Sequence, residues 1–151
     1  MRIIEVLPED NKYIDSIMRN EKEHFQDNGA ADLWLIKGFV RYGKLLILIN
    51  EKDELLSVAQ YMQVFGKKEV FLYGFSTVKK FQRQGYGYEL LKRSEVFLKG
   101  LGIEKIKLTV DPNNIPGINL YKKLNYSIIE LQKDEYGKNI DRYLMEKLIK
   151  S

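Results

Sequence analysis

Between Glu69 and Val110 the chain reads as strand, glycine turn, helix, strand, and that order restricts the fold more than any other feature. Residues 69–78 are strand-like, and Gln82-Arg83-Gln84-Gly85-Tyr86-Gly87 turns the chain. Residues 85–99 then carry Leu90, Leu91, Phe97 and Leu98 on one helical face. Gly100 and Gly102 supply the stop signal. Residues 103–110 alternate, with Ile106, Leu108 and Val110 on one face and Lys105, Lys107 and Thr109 on the other. A strand joined through a helix to a second strand is a crossover, which sets the two strands parallel or nearly so.

The rest of the chain is arranged around this unit. Residues 2–7 read as a short strand, and Pro8-Glu9-Asp10 opens a helix whose apolar positions are Tyr13, Ile14, Ile17 and Met18. The polar stretch from Glu21 to Asn28 reads as a turn, and Ala30 to Val40 as a second helix. Leu45 to Ile49 is an unbroken apolar run, the pattern of a strand buried on both faces. Strands at 55–65 and 69–78 follow through turns at Asn50-Glu51-Lys52-Asp53 and Gly66-Lys67-Lys68, giving an antiparallel meander. After the crossover come a short helix at 114–124 and strands near 126–133 and 140–148, around a turn at Tyr136-Gly137-Lys138. The expected order is β-α-α-β-β-β-α-β-α-β-β: an α/β fold with a mixed, mostly antiparallel sheet and helices on both faces. No repeat or linker divides the chain, so residues 1–151 are expected to form a single domain.

Composition removes several chemistries. Without cysteine there is no disulfide framework, thiolate zinc site or cysteine nucleophile, and the single histidine, His24, cannot build a histidine metal site. No metal is expected. No apolar run approaches the ~20 residues that span a bilayer. The acid at Glu5 interrupts any reading of the first residues as a signal peptide, so a soluble, cytoplasmic protein is expected. The net charge of +4 is that of a solvated, lysine-rich surface. Lys79, Lys80 and Arg83 cluster just before the glycine turn, where a basic rim suits a phosphorylated ligand. No stripe of basic and aromatic residues accompanies them, which argues against nucleic acid as a partner.

The turn itself is the first candidate site. Glycines at 85 and 87 let the backbone approach a ligand and leave the first N–H groups of the helix pointing outward. Those donors and the positive helix end suit a pyrophosphate. A tight strand-to-helix turn needing small residues is the plainer alternative. The turn lacks Gly-x-x-x-x-Gly-Lys, so it is not a Walker loop, and it lacks the third glycine of the dinucleotide fingerprint.

Gln82-x-x-Gly85-x-Gly87, after a strand ending Phe75-Ser76-Thr77-Val78, resembles the (Gln/Arg)-x-x-Gly-x-(Gly/Ala) motif of GNAT acetyltransferases. Further on, the run from Asn114 to Tyr126 is similar to the family's second signature, Asn-x-x-Ala, then Leu-Tyr, then Lys-x-Gly-Phe. Gly117 stands for the alanine at a helix-propensity cost of roughly 1 kcal/mol. Asn125 stands for the glycine that ends the helix, the next best residue for a left-handed position, and Tyr126 for the phenylalanine.

The resemblance implies acetyl-CoA as co-substrate, lying in a V-shaped cleft where strands 69–78 and 103–110 splay apart. Backbone groups at Phe75 and Thr77, with Ser76 between them, would bond the pantetheine arm. Gln82, Arg83, Gln84, Gly85, Tyr86, Gly87 and Tyr88 would hold the pyrophosphate, with Asn114 and Gly117 approaching from the other side. Tyr121 would also line the cofactor and occupies the general-acid position, and a phenol of pKa ~10 can return a proton to a leaving thiolate. Its alternative is a core aromatic.

The attacking amine has a pKa of ~10.4 when free, so the site must take its proton directly or through water. The position where many relatives carry a glutamate is Phe71 here. Glu69 and Tyr73 share its face by strand alternation and are candidates through ordered water. A charged strand end and a packed tyrosine are the alternatives, and His24 reads as a lone surface histidine rather than a base. A backbone N–H of strand 69–78 is the natural donor to the acetyl oxygen as charge grows there.

The expected acceptor is a primary amine on a small molecule or peptide, attacking directly in a ternary complex. Residues 20–34 and the turn near 134–139 would select it. Glu21, Glu23, Asp27 and Asp32 either attract a cation there or solvate the surface, and Trp34 either packs in the core or lines the acceptor pocket. Exposed edge strands near the C-terminus leave a homodimer open. The rival readings are a non-catalytic acyl-CoA-binding module of the same fold and, behind it, a nucleic-acid-binding domain using Lys79, Lys80 and Arg83.

Overall fold

The computed structural model describes residues 1–25 and 31–150. Its elements follow the predicted order: β1 (Arg2–Glu5), α1 (Asn11–Phe25), α2 (Leu33–Tyr42), β2 (Lys44–Ile49), β3 (Leu55–Gln63), β4 (Glu69–Thr77), α3 (Tyr86–Gly100), β5 (Lys105–Val110), α4 (Ile115–Lys123), β6 (Ser127–Gln132) and β7 (Arg142–Leu148). A single 3-10 turn, Lys79–Phe81, lies between β4 and α3. The strands form one sheet in the order β1-β2-β3-β4-β5-β7-β6.

The crossover behaves as its sequence predicts. β4 and β5 pair in parallel, from Glu69 opposite Lys105 to Leu72 opposite Leu108. That ladder ends there, while β4 continues to Thr77. β5 and β6 each pair antiparallel with β7, which inserts between them.

The chain groups into two compact units, Met1–Met62 with Gly74–Ser94, and Gln63–Tyr73 with Glu95–Ser151. In the first, β2 has no exposed surface from Leu45 to Ile49, as an unbroken apolar run requires. Ile14 and Ile17 of α1 and Ile36, Phe39 and Val40 of α2 share a core cluster with Leu45, Ile47 and Ile49. In the second, Ile106, Leu108 and Val110 are buried with Ile118, Tyr121, Leu124, Tyr126 and Met145.

One expected boundary is corrected. The polar stretch from Glu21 does not turn: α1 continues through Phe25. Asn20 and Glu21 fall on the helix face of Ile14 and Ile17, and both are 3% exposed. Hydrogen bonds replace apolar contacts on this last part of the buried stripe, which is why hydrophobic periodicity does not show it. Residues 26–28 of that expected turn lie outside the described residues. α2 begins at Leu33, with Asp32 capping it by accepting from the Leu35 N–H at 2.9 Å. Among the described residues no helix is long and apolar enough to cross a membrane.

Candidate active site

The glycine turn is built at the end of β4. Val78 donates its N–H to the Leu56 carbonyl, the 3-10 turn follows, and Arg83 and Gly85 adopt left-handed φ values of 64° and 85°. The Glu89 N–H bonds the Gly85 carbonyl at 3.1 Å, so Gly85 is the last residue before the helix and the N–H groups ahead of Glu89 have no acceptor within α3. Nothing lies within 4 Å of where a side chain at 85 would start. At Gly87 the constraint is space: a Cβ would stand 2.8 Å from Phe75 Cζ and 3.1 Å from Thr77 Oγ1. The turn therefore closes onto β4 at Gly87 while Gly85, at the head of the helix, faces open space, an arrangement able to receive an anion. Of the basic cluster, Lys80 is drawn aside, 3.2 Å from Glu54 and 5.0 Å above the Phe81 ring. Tyr86 meets Phe81 edge to face at 6.2 Å.

Behind the turn runs a polar network that the sequence reading does not anticipate. Asn20 Nδ2 donates to Ser76 Oγ at 2.8 Å. Ser57, fully buried, donates to the Ser76 carbonyl at 2.8 Å and lies 3.2 Å from Thr77 Oγ1. Glu21 accepts from Gln60 Nε2 at 2.6 Å and from the Ala31 N–H at 3.2 Å. Burial pushes its carboxyl above the usual range, against those two hydrogen bonds. The Gln60 side chain fills the space where a side chain at Gly74 would stand. His24 lies 3.1 Å from Gln82 Nε2, and Gln82 in turn donates to the Thr77 carbonyl at 3.2 Å. Asn20, Glu21 and His24 continue the phase of Ile14 and Ile17 in polar residues, a spacing that hydrophobic periodicity does not register and that names none of their partners.

In the second unit α4 presents Tyr121. Asn114 caps the helix, its Oδ1 accepting from the Gly117 N–H at 3.0 Å. A Cβ at 117 would meet Asn114 Nδ2 at 2.6 Å, so the glycine makes room for the cap. The helix ends as predicted at a left-handed Asn125, φ 72°. There the Tyr126 N–H bonds the Tyr121 carbonyl and the Asn125 N–H bonds that of Lys122, each at 2.9 Å, a Schellman motif. The accompanying aromatic contact is Tyr126 against Tyr121, ring centres 5.8 Å apart. Tyr121 is thus fixed by its own helix end and buried, and burial pushes its phenol up to about 12 despite a lowering influence from Arg142. Arg142 is itself anchored to Thr109, through Nε to Oγ1 at 3.2 Å and Nη2 to the carbonyl at 3.0 Å.

The candidate bases fall differently. Glu69 is 6% exposed at the start of β4 and sits 3.6 Å from Lys107 Nζ, while Tyr73 is exposed. Among the acids named for the acceptor, Glu21 and Asp32 serve the network and the helix cap described above, and Glu23 is exposed. Asp27 lies outside the described residues. Trp34 is 88% exposed and so is not a core residue. No group of three or more histidine, aspartate and glutamate side chains among the described residues is placed to hold a metal ion.

The model of the acetyltransferase (GNAT) family matches residues 11–126. An N-alpha-acetyltransferase of Sulfurisphaera tokodaii is 32% identical over 79 residues, covering 52% of this chain and 47% of that protein. This chain thus matches about half the length of its curated relative. An aminoglycoside 6'-acetyltransferase type Ii superposes with a TM-score of 0.87 at 17% identity, covering 100% of this chain and 99% of that one. An aminoglycoside 6'-N-acetyltransferase complexed with coenzyme A gives 0.84 at 15% identity, over 100% and 98%. At these identities the two structures establish a shared fold.

Proposed function

This chain belongs to the acetyltransferase (GNAT) family, and on that footing we propose that it is an N-acetyltransferase carrying the acetyl group of acetyl-CoA to a primary amine. The observation that carries the reading is the open space at a left-handed Gly85 at the head of α3, with Gly87 pressed onto Phe75 and Thr77. The N-terminal end of a helix entered through a glycine turn fits a pyrophosphate, and the residues that would hold it are Gln82 to Tyr88. Phe75 and Thr77 would hold the pantetheine arm. Since the Thr77 carbonyl already accepts from Gln82, the Thr77 N–H is the group left for the arm by that bond. Gly117 and Asn114 are assigned to the cofactor by motif position alone.

When bound, acetyl-CoA supplies an acetyl group activated as a thioester. The chain's own part is to orient it, take a proton from the amine and return one to the thiolate. Tyr121 is the proposed acid from its place in the second motif; its phenol is protonated at neutral pH as any tyrosine's is, and burial raises it further. Tyr73 and Glu69 remain the proposed route for the amine proton, acting through water.

Similarity to an N-alpha-acetyltransferase makes a polypeptide α-amino group the first acceptor to test. Ile128, Ile129 and Leu131 are exposed on the edge strand β6, where a second copy could pair, and we place the enzyme in the cytoplasm as a single catalytic domain. Free thiol release from acetyl-CoA should require a peptide with an open N-terminus and stop when that N-terminus is blocked. Binding of CoA with no thiol release for any amine would instead support the acyl-CoA-binding module.

A further inference from the structure

We infer that His24 is a positioning residue for the glycine turn: it holds Gln82, and through it the turn, in the geometry that receives the CoA pyrophosphate. The inference rests on the reading of that turn given above. Gln82 Nε2 donates to the Thr77 carbonyl at 3.2 Å. Turned the other way, the amide would set its own oxygen against that carbonyl, so the NH2 group is the one facing β4. His24 Nε2 lies 3.1 Å from the same Gln82 nitrogen. Two donors do not bond, so this ring nitrogen accepts and the imidazole proton sits on Nδ1. Nδ1 is 3.3 Å from the Asn20 carbonyl, an acceptor, so the tautomer is consistent at both ring nitrogens.

His24 is well placed to hold something still. Its helix is pinned one turn earlier, where Asn20 bonds Ser76 and Glu21 bonds Gln60. Gln82 then ties α1 to Thr77, before the 3-10 turn, and to the backbone just after it. The next residue, Arg83, stands at φ 64°, a conformation that side chains other than glycine rarely adopt. Fastening Gln82 on both sides opposes the relaxation of that residue and keeps the Gly85 end of α3 aimed.

His24 is the single histidine of the chain, so heteronuclear NMR of the imidazole nitrogens reads it without assignment. At a pH where the ring is neutral, the free protein should show the Nδ1–H tautomer, and an Nε2–H tautomer would overturn the inference. In calorimetry with CoA, His24→Leu should weaken binding about fivefold, the worth of one neutral hydrogen bond, while His24→Gln, whose Oε1 can accept from Gln82, stays within about twofold. The KM for acetyl-CoA should rise with the dissociation constant at unchanged kcat. Gln82→Met removes this tie together with the Thr77 bond and should weaken CoA binding at least as much as His24→Leu, which covers the case of a variant that does not fold. Equal CoA affinity in wild type, His24→Leu and Gln82→Met would overturn the inference and leave the cofactor reading intact. Failure of the wild type to bind CoA would overturn the cofactor reading, while the tautomer still decides whether the tie exists.

Discussion

Tyr121 is the side chain on which the proposed chemistry depends, and its surroundings make a definite claim about pH. Burial raises its phenol to about 12, so the acid form persists where an ordinary tyrosine would already have ionised. The kcat profile should therefore show no loss of the acid near the ordinary tyrosine value, and a fall centred there would contradict the assignment. Folding is linked in the same sense: the stability tied to this group is intact below the ordinary value and is lost as pH climbs toward about 12. Tyr121→Phe keeps the ring against Tyr126 and removes the proton, so kcat should fall on the order of a hundredfold while CoA affinity holds. At this scale the sequence was partly legible. Tyr121, Gly85 and Asn125 stood in a recognisable pattern, whereas Asn20, Gln60 and Ser57 did not. Buried polar residues follow helical or strand phase like their apolar neighbours, but their partners come from distant parts of the chain, and a single sequence carries no sign of that pairing.

Among the elements, the β4–turn–α3 unit uses its two glycines for different physical reasons, which separates them experimentally. Gly85 has open space around it but a left-handed backbone, so Gly85→Ala should cost about 1–2 kcal/mol through strain alone. Gly87 sits at ordinary helical φ but against Phe75 and Thr77, so Gly87→Ala should push the turn off β4, at a cost of about 1–3 kcal/mol less any helix propensity gained. Chemical denaturation gives both stabilities, and calorimetry with CoA should show the larger loss of affinity at Gly87. Equal effects on affinity would remove the distinction. Alternation in β5, the unbroken apolar run of β2 and the helical spacing of α3 were all readable, because burial on one face or on both writes itself into the order of residues. The end of α1 was not readable, because there the buried face turns polar while the helix continues.

For the whole molecule, the parallel β4–β5 pair follows from the crossover rule, whereas the place of β7 between β5 and β6 is not written in any local pattern, and shared architecture with acetyltransferases of low identity shows how little sequence that architecture demands. The proposed acceptor amine is expected to be selected by residues 20–34 and the turn near 134–139. Part of the segment expected to do so, residues 26–30, is outside the described residues, and Trp34 beside it is exposed. The central claim, that the turn at Gln82 to Tyr88 receives an acyl-CoA, can be tested without knowing the acceptor. Thermal unfolding with acetyl-CoA, free CoA and ADP is the most direct measurement. At about a hundred times its dissociation constant a ligand adds ~2.7 kcal/mol to the folded state, so acetyl-CoA and CoA should both raise the midpoint clearly. An unchanged midpoint with all of them would contradict the account.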